Sequence, residues 1–174
     1  MKKQQAIFAG GCFWCSQSEF EGKPGVLEAL SGYIGGTPAT ANYQAVCSGT
    51  TAHVEAVRVE YDADLVSYEQ LLEIYWRHID PTDAGGQFAD RGPQYQPVIY
   101  FFDLEQQQAA QTSLEAIDAS GRFAHPVAVK IVEAMPFFGA EEYHQNYHLT
   151  NTGHYQAYRE GSGRQPFINQ HWKS

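Results

Sequence analysis

The chain has 174 residues, 43% of them hydrophobic and 14% aromatic, which suits one globular domain spanning 1–174 with a sizeable core. Its formal net charge of −9 argues against a nucleic-acid backbone as the main partner and against adsorption to an anionic membrane. Three cysteines do not make a disulfide scaffold, the apolar stretch after Met1-Lys2-Lys3 runs only from Ala6 to Ala9, and no run approaches membrane-spanning length, so reactive thiols in the cytoplasm are expected.

Residues 5–9 read as a strand. Gly10-Gly11 turns the backbone, and Cys12 starts a helix to about Phe20 that Gly22 stops. Val26 to Tyr33 reads as a second strand, closed by Gly35-Gly36. Residues 36–52, rich in Thr, Ala, Gly and Ser, read as a loop that carries Tyr43 and Cys47. His53 to Tyr61 alternates as a strand does. Ser67 and Gln70 form a capping box before the apolar helical face Leu71, Leu72, Tyr75 and Trp76, and Asp80-Pro81 ends that helix. A long loop is expected from Thr82 to Gln96, then a buried strand from Val98 to Phe102. Asp103 caps a helix to about Ala119, with Gly121 as its terminator. Val127 to Val132 reads as a strand, Ala140 to His148 as a short aromatic helix, and Asn151 to Ser174 as an irregular tail. About five strands with interspersed helices predict an α+β fold: a two-layer sandwich on a mixed sheet with a ferredoxin-like core and helices on one face.

The chemistry gathers at Gly10-Gly11-Cys12-Phe13-Trp14-Cys15. A helix N-terminus offers orphan N–H groups and the positive end of a dipole, which would stabilise a thiolate at Cys12. The two rings that follow would wall the thiol with apolar surface. The C-x-x-C spacing also fits a thioredoxin-like redox pair or half of a zinc site, for which Cys47 and His53 could be offered, although no second C-x-x-C or H-x3-5-H exists. A thiol redox sensor, a zinc-binding module or a general disulfide oxidoreductase are therefore alternative readings. Glu55 shares a strand face with His53 and Val57, where desolvation would keep a carboxyl protonated near neutrality and make it a general acid. An exposed strand glutamate is the plainer alternative. Asp90, before Gly92-Pro93, fits a turn former, and Tyr43 and Tyr95 fit half-buried packing as well as donor roles. His144 and His148 lie four apart without the H-E-x-x-H pattern of a metal helix.

Taken together, Gly-Cys-Phe-Trp-Cys, Gly32-Tyr33-Ile34-Gly35-Gly36, Tyr43 with Val46-Cys47-Ser48-Gly49, His53-Val54-Glu55-Ala56-Val57, Asp90-x-Gly92-x-Gln94-Tyr95 and Pro136-Phe137-Phe138-x-Ala140-Glu141-x-Tyr143-His144-Gln145 occur in one order. The set resembles the A-type peptide methionine sulfoxide reductases from about residue 6 to His171. That resemblance implies reduction of the S epimer of methionine sulfoxide, free or in proteins, through a cysteine sulfenic acid. It implies repair of oxidised proteins, thioredoxin as the recycling reductant, and no metal or organic cofactor. By position, Cys12 matches the family nucleophile, Phe13 and Trp14 the rings around the sulfoxide methyl, Glu55 the acid, and Tyr43 and Tyr95 the oxygen-binding hydroxyls. Asp90 matches a residue that organises the site through water. The chain departs from many members in having no cysteine after Cys47, so Cys15, Cys47 or an external thiol stands open as the resolver.

Overall fold

The computed structural model describes residues 1–172. β1 (Lys3–Ala9) runs through the Gly10-Gly11 turn into α1 (Phe13–Phe20), and β2 (Val26–Ile34) follows. A 3-10 turn at Pro38–Thr40 and the short α2 (Tyr43–Cys47) lead to β3 (Val54–Asp62) and α3 (Tyr68–Arg77). The hairpin of β4 (Gly86–Gln87) and β5 (Asp90–Arg91) and a 3-10 turn at Pro93–Tyr95 precede β6 (Val98–Phe101) and α4 (Leu104–Ala119). β7 (Lys130–Glu133), β8 (Phe137–Gly139) and a 3-10 turn at Glu142–His144 come next. α5 (Tyr147–Thr150), α6 (Thr152–Gly161) and α7 (Arg164–His171) end the described chain.

The main sheet has the order β7-β6-β1-β3-β2-β8. It is mixed, because β6 and β7 pair in parallel while the other neighbours are antiparallel. Its centre, β6-β1-β3-β2, connects as β1-α1-β2-β3-α3-β6, the ferredoxin-like arrangement expected from the sequence. Strand alternation sorts the buried residues onto two faces. Ala6, Phe8, Val57, Val59 and Ile99 pack with Phe20, Leu71, Leu72 and Tyr75 under the helices. Phe8 stacks on Phe20 at 5.1 Å and on Tyr75 at 5.2 Å between ring centroids, which ties β1 to α1 and α3. Burying a ring of this size stabilises by about 1.5–3 kcal/mol. The opposite face gathers Ile7, Ala9, Ile34, Val54, Ala56, Val98 and Tyr100 beneath Val132, Ala134 and Phe137. Among the described residues no helix is long and apolar enough to cross a membrane.

The helix signals read from sequence operate as physics requires. Ser67 and Gln70 exchange both bonds of a capping box, and the Asp103 side chain accepts from the Gln106 N–H. Several other segments differ from expectation. The 36–52 stretch contains α2, because Asn42 caps it by accepting from the Ala45 N–H. The 82–96 loop contains the β4-β5 hairpin. The strand expected at Val127 to Val132 begins only at Lys130, where pairing with Val98 starts. The helix expected from Ala140 to His148 is broken into a 3-10 turn and α5, with Asn146 left-handed at φ 54° between them. The tail expected to be irregular forms α6 and α7; Lys173 and Ser174 lie outside the described residues.

Candidate active site

The site is built where β1 ends. Gly11 sits at φ 86°, and a Cβ there would lie 2.5 Å from Gln87 Cβ and 2.8 Å from Arg164 Nη2. Only glycine fits both that backbone and that space. Cys12 follows as the N-cap residue of α1, 7% exposed, and its carbonyl accepts from the Cys15 and Ser16 N–H groups. Cys12, Phe13, Trp14, Tyr43, Glu55, Asp90, Tyr95 and Tyr158 line one small cavity of about 80 Å3. All seven residues that the resemblance places at the reaction, apart from the resolver, thus meet in one place, joined by Tyr158.

They come from several elements: α1 and its N-cap supply Cys12, Phe13 and Trp14, and the others come from elsewhere in the chain. Glu55 lies on β3 opposite Tyr33 of β2, on the helix-covered face, and is 1% exposed. Its Oε1 accepts the Phe13 N–H at 3.1 Å, so the first free N–H of α1 is spent on this carboxyl. Burial nevertheless dominates and pushes the Glu55 pKa up to about 8, with the neighbouring Asp90 and Cys15 charges adding to it. Asp90, on β5, is itself raised by desolvation against the pull of Arg164, and its Oδ2 is buried without a hydrogen-bond partner among the described residues. Tyr43 opens α2, and Tyr95 ends the turn after the hairpin. Burial raises both phenols, so they stay protonated donors. The Tyr95 hydroxyl lies 3.8 Å from Cys47 Sγ.

The aromatic wall is braced from the C-terminal third of the chain. Trp14 Nε1 donates to His144 Nδ1 at 3.1 Å, and its ring stacks on Tyr147 at 4.0 Å. Tyr158 meets it edge-on at 5.9 Å. Phe13 packs on Tyr33 at 5.6 Å and His144 at 5.2 Å, and is buried. Glu141 clamps the floor: one oxygen accepts from the Tyr33 hydroxyl at 2.7 Å, the other from the Tyr43 N–H at 2.9 Å. These two bonds hold its carboxyl below its ordinary pKa. Glu141 enters the sequence reading only within a motif, His144 there and in its spacing from His148, and nothing local marks Tyr147, Tyr158, Arg159 or Arg164 as site neighbours.

The thiols differ from expectation in one respect. Burial, the hydrogen bond to Cys15, and the Glu55 and Asp90 carboxyls all push Cys12 up, so the free protein favours Cys12 as a neutral thiol. The helix end does not make it the resting thiolate, because the Phe13 N–H serves Glu55 and carboxyls face the sulfur. Cys15, fully buried, moves the other way and is lowered to about 6, chiefly by the bond from Cys12 and then by Arg164 and Arg159, against its own desolvation. Cys47 is half-buried on α2 and raised by desolvation. A zinc quartet with Cys47 and His53 does not assemble. The His53 ring accepts from the Gly36 N–H at 3.1 Å and donates to the Thr37 carbonyl at 2.8 Å, and no group of three such ligands converges among the described residues.

Residues 4–174 match the family model for peptide methionine sulfoxide reductase. The peptide methionine sulfoxide reductase MsrA of Listeria innocua is 49% identical over 170 residues, covering 98% of this chain and 96% of that protein. Among solved structures, methionine sulfoxide reductase A of Corynebacterium diphtheriae superposes with a TM-score of 0.76 at 26% identity, covering 86% of this chain and 76% of that one. Mxr1 from Saccharomyces cerevisiae in reduced form shares the fold with a TM-score of 0.81 at 24% identity and 87% coverage of both chains. The same yeast protein in complex with Trx2 matches with a TM-score of 0.59 at 18% identity, covering 84% and 85%.

Proposed function

The chain belongs to the peptide methionine sulfoxide reductase family, and from that premise we infer how the cavity around Cys12 does the family's chemistry. The protein is a peptide-methionine (S)-S-oxide reductase, which returns oxidised methionine to methionine and so repairs oxidised proteins. In our reading the sulfoxide enters the cavity with its methyl against Phe13 and Trp14, an apolar grip of order 1 kcal/mol whose shape can select one sulfur epimer. Its oxygen takes hydrogen bonds from Tyr43 and Tyr95. Glu55, protonated at neutral pH, then gives that oxygen a proton, because a sulfoxide oxygen leaves poorly without one.

Cys12 attacks the activated sulfur, directly or through a short-lived adduct, and its proton passes to Cys15. The methionine sulfur gains two electrons, and Cys12 loses two to become the sulfenic acid. Asp90 orders the polar side of the cavity. Cys15 is the resolver in this reading, since it stands three residues after Cys12 in the first turn of α1. Cys47 lies beside the Tyr95 hydroxyl instead. The reaction uses no cofactor on this reading. Thioredoxin returns the resulting disulfide to the dithiol; the complex of the structurally similar yeast protein with Trx2 supports that partner. A single domain over 1–174 and a cytoplasmic location belong to the same proposal, the latter consistent with three free thiols.

The observation that carries these assignments is a buried carboxyl raised to about 8, in one cavity with a thiol and two phenols. The test is turnover of methionine S-sulfoxide by Cys12→Ser, with thiol mass spectrometry of the wild-type protein after one equivalent of substrate. Loss of turnover and a Cys12–Cys15 disulfide are expected. Normal turnover by Cys12→Ser overturns the nucleophile assignment, and a Cys12–Cys47 disulfide overturns the resolver.

A further inference from the structure

His144 closes the 3-10 turn at Glu142–His144 and is 2% exposed. Its Nδ1 accepts the Trp14 Nε1–H at 3.1 Å. An indole nitrogen only donates, so this Nδ1 carries no proton. A charged imidazolium has a proton on both nitrogens and would set one N–H against another. The bond therefore selects the neutral ring with its proton on Nε2. That Nε2 is buried without a partner among the described residues, so the one hydrogen bond of the ring goes to Trp14. Burial works in the same direction, lowering the His144 pKa against the pull of Glu141.

Packing holds the imidazole in place. Its ring lies 4.2 Å from that of Tyr43 on α2, 4.1 Å from Tyr143 on its own turn and 5.2 Å from Phe13 on α1, between centroids. The turn itself is pinned to β2 by Gln145, which donates to the Ser31 and Ala140 carbonyls at 2.9 and 3.0 Å and accepts the Ser31 N–H at 3.0 Å. Tyr147 fixes the plane of Trp14, stacking on it at 4.0 Å with the two rings 9° apart. A stack of this kind tolerates a half-turn of the indole about χ2, a torsion with two broad wells. The half-turn would carry the N–H to the opposite edge of the ring. The bond to His144 separates the two orientations, because it accepts only one of them. Trp14 lines the Cys12 cavity and His144 does not. The bond thus draws the polar edge of the indole toward a side chain outside the cavity.

We propose that His144 is a positioning residue for substrate binding: as the neutral Nε2–H tautomer it sets which edge of Trp14 meets the sulfoxide methyl. It acts through the indole and takes no part in proton transfer. This rests on the reading of Phe13 and Trp14 as the methyl wall. One short turn then serves two walls of the cavity, since Glu141 accepts the Tyr43 N–H at 2.9 Å while His144 accepts from Trp14. The apolar ring and the hydroxyl-bearing ring are spaced by the same piece of backbone.

The test pairs nitrogen NMR of the full chain with single-turnover reduction of methionine S-sulfoxide at neutral pH. Histidine labelling of the wild type should show His144 with a bare Nδ1 and a protonated Nε2, its signals assigned by their loss in His144→Asn. The Trp14 indole N–H, assigned by its loss in Trp14→Ala, should show the downfield shift of a hydrogen-bonded proton. His144→Phe keeps a ring but offers no acceptor, and His144→Asn puts an amide oxygen near the place of Nδ1. The sulfoxide concentration giving half the maximal rate should rise about three- to tenfold in His144→Phe, the worth of one hydrogen bond. The maximal rate should stay within about twofold, because the lost contact serves binding. His144→Asn should restore both the indole shift and the half-saturation. A proton on Nδ1 in the wild type overturns the proposal without need of any variant. Wild-type half-saturation in His144→Phe, a loss of maximal rate alone, or an asparagine variant that restores the indole shift without the affinity overturns it too. Unchanged half-saturation in Trp14→Ala overturns the methyl-wall reading instead.

Discussion

Glu55→Gln should make this protein a worse enzyme and a more stable one. The substitution keeps the size of the side chain and an oxygen to accept the Phe13 N–H. It removes the acid, so kcat should fall by about 10²–10⁴-fold, the usual worth of a positioned general acid, while substrate affinity changes little. Stability should move the other way. The Glu55 pKa is raised in the fold from 4.5 to about 8, so the neutral form is the one that the folded state favours. A group raised in this way contributes its full stability below the unfolded value and loses it as pH climbs to the folded value. Folding at pH 7 therefore costs the wild type proton uptake over 7 − 4.5 = 2.5 pH units, about 3 kcal/mol at about 1.4 kcal/mol each. Glutamine is neutral at every pH and escapes that cost. The variant should match the wild type at pH 4, exceed it by about 3 kcal/mol at pH 7, and by about 5 kcal/mol above pH 8, since 8 − 4.5 = 3.5. Urea denaturation at pH 4, 7 and 9, beside turnover of methionine S-sulfoxide, reads both effects. A stability difference independent of pH, or a variant that keeps wild-type kcat, would refute the reasoning.

Wild-type kcat should fall as pH rises through about 8, where Glu55 loses its proton, and a flat profile from pH 7 to 9.5 would count against the acid. Gly11→Ala meets Gln87 and Arg164 at a backbone angle alanine resists, so thermal denaturation should show a loss of about 1–3 kcal/mol or more, with turnover lost in proportion to the displaced turn. Glu141→Gln keeps one acceptor but removes the charge that binds the Tyr43 N–H and Tyr33 hydroxyl. It should lower kcat/KM about tenfold through looser placement of Tyr43, measured with free methionine S-sulfoxide, and leave the Cys12–Cys15 disulfide yield unchanged.

Much of this was written in the chain. The alternation of β3 put Glu55 on the same face as Val57, and burial of that face is what raises its pKa, so one local pattern foretold the acid's environment. The strand–Gly-Gly–helix entry at Cys12, the capping box at Ser67 and the Asp103 cap are all satisfied within a few residues, which is why sequence could specify them. Six motifs in order named the family, which needs no geometry at all. The C-terminal third escaped because its helices are short and rich in polar residues, and their register comes from Trp14, Arg159 and Arg164 packing on distant elements. Charge too was decided by the tertiary structure. A dipole argument from neighbouring residues assigned an anion to Cys12; burial and the carboxyls of β3 and β5 push that thiol toward its neutral form instead. Residue types and their spacing therefore determined which groups react, whereas the protonation of each depends on solvent exclusion and on charges far away in sequence, which exist only once the chain has closed upon itself.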